Sequence, residues 1–413
     1  MKVYLATHGC RANQYDSGTV RAMLESAGHE IAPAPERADM AVFNSCAVTA
    51  DAVADLRQGV RRAARRNPAL RTVVMGCAAA LDRGEIAALP TVQHVIGGAP
   101  MDEIAAALGL APEAAAVRAG SQSGARALLR IQDGCDEHCT FCATTLARGP
   151  ARSRPVHDVA AEAARLAEHH AEIVLTGIHI GRYGHDIGSS LGALLEALVT
   201  RVASVRFRLS SVEASEVDAR LAGLLCADAR RVAPWLHAPL QSGSDRVLRR
   251  MGRHWYTAAS YANAVEGLAV RAPLLGLGAD VIAGFPGESE ADHAATLALL
   301  ERLPFTALHV FPYSERPGTA AARLGAVVPR ATAIARAAEL RALGERKAAA
   351  HRAARTGGAA DVVVLGGARE REGITEDHLT VRMRDTTLPR GARVGARLER
   401  GPGAALFART GAE

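Results

Sequence analysis

Three times near the start of the chain a short apolar run ends at a cysteine, and this repetition constrains the fold more than any other feature. Val3–Ala6 leads into Thr7-His8-Gly9-Cys10, Met40–Phe43 into Asn44-Ser45-Cys46, and Thr72–Met75 into Gly76-Cys77. Helix-like stretches, Ser17–Ala27 and Ala50–Arg66, lie between the runs. Strand, helix and strand recurring every 30 or so residues is the βαβ pattern, which implies a parallel sheet. Ligands of such sheets sit at the carboxyl ends of the strands. Cys10, Cys46 and Cys77 all fall at that edge, so they can converge on one site without a local CxxC motif. Small buried cysteines are common in protein cores. Chance burial does not explain the same strand end three times, each after Gly or Ser, and soft thiolates suit an iron–sulfur cluster or zinc.

A second constellation follows. Leu128–Gly134 reads as a strand, and Cys135-Asp136-Glu137-His138-Cys139-Thr140-Phe141-Cys142 comes directly after it. Three thiolates hold three irons of a 4Fe–4S cube and leave the fourth open, which is what a catalytic site requires. The only cysteine further on is Cys226, most simply a core residue. A three-cysteine zinc site is the alternative; it wants a fourth ligand, and His138 stands badly placed between two cysteines.

Beyond this loop, strand-like segments alternate with helical stretches: Ile173–Thr176, Val205–Leu209, Trp235–Leu240, Gly278–Ala283 and Leu308–Phe311. With the strand before Cys135 they make six βα units, enough for a partial barrel whose site lies at the strand ends. Polar groups and glycines gather there: Thr176 and Gly177, Ser210, Ser211 and Glu213, Gln241, Asp280 and Gly284, and Tyr313. The last segment, 355–413, changes texture. Ala360–Leu365, Leu379–Met383 and Arg393–Leu398 suggest a small β-barrel.

Composition adds bounds. The chain has 413 residues and a formal charge of +6, and Lys2 and Lys347 are its only lysines. Codon bias accounts for much of the arginine, but the surplus suits a phosphate-rich partner. Arg57, Arg61 and Arg65 share a helix face; a solvated surface and contact with nucleic-acid phosphates both fit it. Mean hydropathy is +0.04. No 18-residue apolar run suggests a membrane span. No secretion signal is visible, so seven cysteines point to a reducing compartment, the cytoplasm.

The Cx3Cx2C loop after a strand, with Phe141 before its last cysteine, resembles the radical S-adenosylmethionine enzymes. The resemblance implies that Cys135, Cys139 and Cys142 hold a 4Fe–4S cluster whose open iron chelates S-adenosylmethionine. Cleavage of the sulfonium then gives a 5′-deoxyadenosyl radical. It also implies that Thr176, Gly177, Ser211, Glu213, Gln241, Asp280, Gly284 and Tyr313 line the S-adenosylmethionine site.

A narrower resemblance runs along nearly the whole chain. Gly9–Ser17, Asn44–Thr49, Gly76-Cys77, Leu240–Ser244, Gly284–Glu288 and Arg316–Thr319 are similar to the methylthiotransferases. The resemblance implies that Cys10, Cys46 and Cys77 bind a second 4Fe–4S cluster, which delivers sulfur. One S-adenosylmethionine supplies the methyl group and a second the radical.

The expected fold is therefore α/β in three parts. Residues 1–115 form a parallel βαβ domain with the auxiliary cluster, 120–350 a partial (β/α)6 barrel, and 355–413 a small β-barrel like the RNA-binding TRAM domain, in which Glu372–Asp377 resembles a turn. The flanks Arg11, Gln14-Tyr15 and Ala47-Val48-Thr49 look most like the branch acting on N6-threonylcarbamoyladenosine in tRNA. That branch adds a methylthio group to C2 of the nucleoside at position 37, in the anticodon stem-loop. The resemblance implies an electron donor such as flavodoxin or ferredoxin, and neither DNA nor a membrane as partner. The alternatives are isopentenyladenosine in tRNA, an aspartate of a ribosomal protein, or a non-catalytic iron–sulfur sensor that binds RNA. Two places depart from the family's pattern: Ala79 stands where glutamine is usual, and Ala143-Thr144-Thr145-Leu146 replaces an Ile-Pro-Tyr-like stretch after Cys142.

Overall fold

The computed structural model describes residues 1–47, 50–316, 318–367 and 371–411. Val48, Thr49 and Pro317, parts of two motifs quoted above, lie outside the described residues. The chain groups into two compact units. One comprises Met1–Gly120, Gln132–Arg152 and Ser314–Ala322, and the other Ser121–Ile131, Ser153–Tyr313 and Arg323–Glu413.

In the first unit, Lys2–Thr7 (β1), Arg11–Ser26 (α1), Glu30–Ile31 (β2), Met40–Ser45 (β3), Ala50–Arg66 (α2), Arg71–Gly76 (β4), Cys77–Ala80 (α3), Val92–Gly97 (β5) and Met101–Ala107 (α4) follow in order. The sheet runs β2-β1-β3-β4-β5, with neighbouring strands paired in parallel. Two apolar clusters cover its faces, one around Val20, Met23, Val42, Met75 and Ile104, the other around Phe43, Leu56, Val60 and Val74. Strands buried on both faces read as apolar runs rather than alternations, which is why β3 and β4 were legible. The unit also takes in the second cysteine loop and Thr144–Arg148 (α5). Its last segment returns late in the chain, where the Ala321 N–H donates to Thr140 O at 2.7 Å.

The second unit alternates Ala127–Arg130 (β6), Val156–Ala167 (α6), Glu172–Thr176 (β7), Leu191–Arg201 (α7), Arg206–Leu209 (β8), Ala219–Ala227 (α8), Trp235–His237 (β9), Asp245–Arg250 (α9), Ala258–Arg271 (α10), Gly276–Ala283 (β10), Glu290–Arg302 (α11) and Ala307–Pro312 (β11). β8-β7-β6 and β9-β10-β11 form two parallel sheets, and the Ser211–His237 bridge continues one into the other. Six strands in sequence order make the expected open barrel. Ile173, Leu175, Phe207, Leu236 and Leu277 are among its buried side chains, each contributing about 1.5–3 kcal/mol.

Two strands end three or more residues before the sequence reading. β9 stops at His237 rather than Leu240, because Pro239 has no N–H for the ladder. The run before Cys135 ends as a barrel strand at Arg130.

Arg330–Arg355 (α12) leads into a closed barrel of Ala359–Gly366 (β12), Glu372–Ile374 (β13), Thr380–Met383 (β14), Arg393–Arg400 (β15) and Leu406–Arg409 (β16). Glu372–Ile374, read above as turn, is a strand paired with β12 and β14; the turn is confined to Thr375–His378. Its brevity and its one apolar anchor, Ile374, hid it.

This barrel seals the amino-terminal end of the open one around a buried charge cluster. Glu172 is directly opposite Arg206 in register, and Arg208 follows on the same face. Glu172 accepts from Arg206 Nε at 2.6 Å, Arg208 Nε at 2.8 Å and Arg126 Nη1 at 3.4 Å. Arg206 also donates to Asp361 O at 3.0 Å, and Arg208 to Thr375 O and Glu376 O at 2.9 and 3.0 Å. His378 stacks on Trp235 with ring centroids 4.1 Å apart.

Candidate functional site

The three strand ends of the first unit bring their cysteines into one corner. Cys10 caps α1 in extended conformation, Cys46 follows β3, and Cys77 opens α3. Two glycines allow the approach. Gly9 has φ +124°, and a Cβ there would meet Cys46 Cβ at 2.8 Å and its Sγ at 3.2 Å. Gly76 has φ +98°, and a Cβ there would lie 2.5 Å from Ser45 O. Only glycine adopts such backbone without strain. The crowding of the Gly9, Ser45 and Gly76 turns is what a cluster with three ligands on three loops needs. Among the described residues no cysteine pair is joined in a disulfide.

Asn13 ties the turns together. Its Nδ2 donates to Ser45 O at 2.7 Å, Asn44 Oδ1 at 3.1 Å and His8 O at 3.1 Å. Asn44 Nδ2 returns a bond to Asn13 O at 2.8 Å. Ala79, the departure noted above, gives its backbone N–H to Ser45 Oγ at 3.2 Å, so its part in this site is carried by the main chain.

The second loop enters the same unit. The Cys135 N–H donates to Gly149 O at 3.1 Å, and the Cys142 N–H to Cys139 O at 3.1 Å. These bonds fold the loop back on the start and end of its own segment. Thr144, another departure, places its Oγ1 3.0 Å from Cys142 Sγ and points its N–H at the same sulfur at 3.4 Å. Donors of this kind favour a thiolate.

Arg148, at the end of α5, reaches the first triplet. Its side chain is 1 % exposed. Nη2 donates to Asn13 Oδ1 and Asp16 Oδ2, both at 2.9 Å, Nη1 lies 3.3 Å from Asp133 Oδ1, and Nε points at Cys77 Sγ from 3.4 Å. Burial works against the guanidinium charge, but Asp16, Cys77 and Asp133 outweigh it and hold the group protonated. Burial pushes the Cys77 thiol up, with Arg148 opposing. Sequence reasoning missed this residue. Neither Arg148 nor Asp16 carries a spacing signal, since 132 positions separate them.

The polar residues expected at the barrel's strand ends divide into groups. Thr176 is buried at the end of β7, with Gly177 next. Glu213 is occupied by Arg253 Nη2 and Trp255 Nε1. Gln241, in the turn that follows β9, has φ +65°, an uncommon conformation for a side-chain-bearing residue. Its N–H donates to Asp280 O at 2.8 Å, and its carbonyl accepts from Ile282 N at 2.9 Å. Gly284 N–H donates to Glu288 Oε1 at 3.1 Å, and Arg336 holds that carboxylate at 2.7 Å. Tyr313 packs edge-on against Phe285 at 5.3 Å.

Ser211 and Asp280 instead join two histidines that the sequence did not single out. Ser211 Oγ lies 2.8 Å from His237 Nδ1. His237 Nε2 and His309 Nδ1 approach Asp280 Oδ1 at 3.3 and 3.4 Å. Burial would raise the Asp280 pKa, but the two imidazoles outweigh it and hold the carboxyl well below the usual range.

Comparisons with known proteins agree with this layout. Residues 2–97 match uncharacterized protein family UPF0004, and residues 129–300 match the radical SAM superfamily. The chain is 34% identical over 365 residues to threonylcarbamoyladenosine tRNA methylthiotransferase MtaB of Aquifex aeolicus, covering 84% of this chain and 88% of that one. It is 37% identical over 338 residues to MtaB of Bacillus subtilis, covering 77% and 74%. The tRNA-2-methylthio-N(6)-dimethylallyladenosine synthase of Parafrankia is 35% identical, covering 92% and 81%. Among solved structures, the radical S-adenosylmethionine methyltransferase TsrM of Kitasatospora setae superimposes with TM-score 0.56 at 15% identity, covering 75% and 72%; this likeness is one of fold. With two cysteine triplets, an open six-stranded barrel and these relatives, the chain belongs to the radical S-adenosylmethionine methylthiotransferase family, and is an enzyme of the transferase class.

Proposed function

We propose that the chain adds a methylthio group to C2 of N6-threonylcarbamoyladenosine at position 37 of tRNA. It would use two S-adenosylmethionine molecules, a sulfur donor, and an electron donor such as flavodoxin or ferredoxin. The observation that carries the reading is the gathering of both cysteine triplets in one compact unit, with Arg148 joining Cys77 to Asp133, two residues before Cys135. The names of the Aquifex and Bacillus relatives support the substrate.

Cys135, Cys139 and Cys142 would hold the cluster with an open iron, and Cys10, Cys46 and Cys77 the auxiliary one. When bound, these groups supply the electron that cleaves S-adenosylmethionine and the sulfur that is transferred. Thr176, Gly177, Gln241, Gly284 and Tyr313, together with Ser211, Glu213 and Asp280 behind them, would orient S-adenosylmethionine at the strand ends. Asn13 and Arg148 keep the first triplet's turns in place. Residues 1–115, 120–350 and 355–413 would serve respectively as the sulfur-delivering, radical-forming and RNA-binding parts. On the last of these, Arg384 stacks over Phe407 at 4.1 Å, a cation–aromatic pair of the type that receives RNA. Among the described residues no helix is long and apolar enough to cross a membrane, in keeping with a cytoplasmic site of action.

The test is anaerobic reconstitution, reduction, and incubation with S-adenosylmethionine, sulfide and tRNA carrying threonylcarbamoyladenosine, followed by nucleoside mass spectrometry. The expected result is a methylthio nucleoside that is lost in both Cys135→Ala and Cys10→Ala. The Cys10→Ala protein should retain 5′-deoxyadenosine formation and Cys135→Ala should not. A product from isopentenyladenosine-bearing tRNA instead would move the assignment to the activity named for the Parafrankia relative. A narrower outcome is expected of Gly76→Ala. The strained turn costs about 1–3 kcal/mol, and iron analysis should fall from about eight toward about four atoms per chain, with the second triplet still loaded.

A further inference from the structure

The first cysteine triplet has a buried cation beside it that thiolate ligands do not themselves require. Arg148 has every donor atom directed. Nη2 donates to Asn13 Oδ1 and Asp16 Oδ2, both at 2.9 Å, and Nη1 faces Asp133 Oδ1 at 3.3 Å. That leaves Nε–H, and among the described residues its one partner is Cys77 Sγ at 3.4 Å. The side chains of Arg148 and Asp16 are both buried.

Anchoring α5 to α1 needs only Nη2, because Asn13 and Asp16 both lie on α1. The Nε–H bond adds nothing to that join, since Cys77 opens a third element, α3. Its effect falls on the sulfur. A guanidinium that donates to a thiolate makes a charge-assisted bond, and burial keeps water from weakening it. Asn13 Oδ1, one partner of Nη2, also lies 3.5 Å from Cys10 Sγ, so the fork stands close to two of the three cysteines.

Such a contact has an electrostatic consequence for a cluster held there. A 4Fe–4S cube on three thiolates is anionic, and one-electron reduction adds a further negative charge. Hydrogen bonds to the ligand sulfurs and nearby charge are among the levers that set its potential. A cation in contact with a sulfur favours the reduced form over the oxidised one, because the reduced form carries the larger negative charge. Asp16 and Asp133 act in the opposite direction, but the atom on the sulfur belongs to the cation.

We propose that Arg148 sets the reduction potential of the auxiliary cluster, raising it through the Nε–H bond to Cys77. The inference rests on the cluster assigned above to Cys10, Cys46 and Cys77.

The test uses the full-length chain with Cys135, Cys139 and Cys142 all changed to alanine, so that iron loads only the first triplet. The reconstituted protein is titrated with a europium(II) chelate, which gives one electron to each cluster and becomes europium(III). Electron paramagnetic resonance reads the reduced cluster. Arg148→Met is combined with Asp16→Asn, because removing a buried ion pair whole is far better tolerated than breaking it. The pair's charges cancel, so the double variant reports the lost bond to sulfur. Its midpoint is expected to fall by about 59 mV, a roughly tenfold loss in the equilibrium for one-electron reduction. Asp16→Asn alone keeps the arginine and removes an opposing charge, so its midpoint should rise. Loosened packing would not move the two midpoints in opposite directions, and only loaded molecules contribute to either. A double variant with the parent's midpoint would overturn the role of Arg148. Where that variant takes up no iron, an unshifted Asp16→Asn midpoint overturns it. A parent that loads no cluster on the first triplet overturns the cluster assignment instead, so the two failures are distinguishable.

Discussion

Replacement of Arg148 by methionine is expected to destabilise the first unit by about 3–5 kcal/mol, the range for breaking a buried ion pair by removal of one partner. The substitution roughly preserves volume, so the effect is electrostatic. Asp16 is fully buried and would lose its cation; Asn13 Oδ1 would lose a donor at 2.9 Å, and Cys77 the guanidinium beside its sulfur. Lysine should recover little. A single ammonium cannot reproduce the fork that serves Asn13, Asp16, Asp133 and Cys77 at once. Chemical denaturation of the apoprotein, followed by a near-ultraviolet probe, measures the loss. An unfolding midpoint within error of the parent would show that Asp16 finds another partner. Asp16→Asn in the same protein should be far milder, since an amide can still accept from Arg148.

The second large effect is expected of Glu172→Leu. Arg206, Arg208 and Arg126 all converge on this one carboxylate, which is completely buried. Its removal leaves three guanidinium groups together with only Asp361, 3.4 Å from Arg206, as a carboxylate partner, at a cost again of about 3–5 kcal/mol. The readout is local as well as global, because Arg206 and Arg208 also hold carbonyls of the carboxy-terminal barrel. Limited proteolysis should therefore release fragments cut between α12 and β14 at protease levels that leave the parent intact. The same cluster sets an acid limit. Burial would raise the Glu172 pKa, but the arginines outweigh it and hold the carboxyl far below the ordinary range. A depressed carboxylate stabilises the fold above its unfolded pKa of about 4.3, and that contribution is lost as pH falls below it. Stability measured from pH 7 downward should stay level until about pH 5 and then decline, and the Glu172→Leu variant should lack this part of the decline.

The sequence showed most of the strand order and both cysteine sets because each rests on local pattern. β3 and β4 are apolar runs, α2 spans the same Ala50–Arg66 that reads as helix-like in the sequence, and the loop from Cys135 to Cys142 is contiguous. The groups that were missed act at a distance. His309 reads as an ordinary strand residue until β9, β10 and β11 are laid side by side, and Arg148 reads as an ordinary helix end until α1 is brought against it. β13 and β16 escaped notice for another reason: three- and four-residue strands in a small barrel carry too few alternations to stand out from turns. The departures at Ala79 and Thr144 were legible as departures only. What each supplies, a main-chain N–H to Ser45 and a donor to Cys142 sulfur, is a property of the folded turn.

The return of Ser314–Ala322 to the first unit has a bearing on how the protein is made. Cys77 leaves the ribosome long before residue 322 does. At about 5–20 residues per second, the delay is roughly 10–50 s. For that time the first three thiols are present in a unit that lacks its closing segment and, at first, Arg148 as well. The second cysteine loop thus gains the Ala321 N–H on Thr140 O only after translation has passed the barrel.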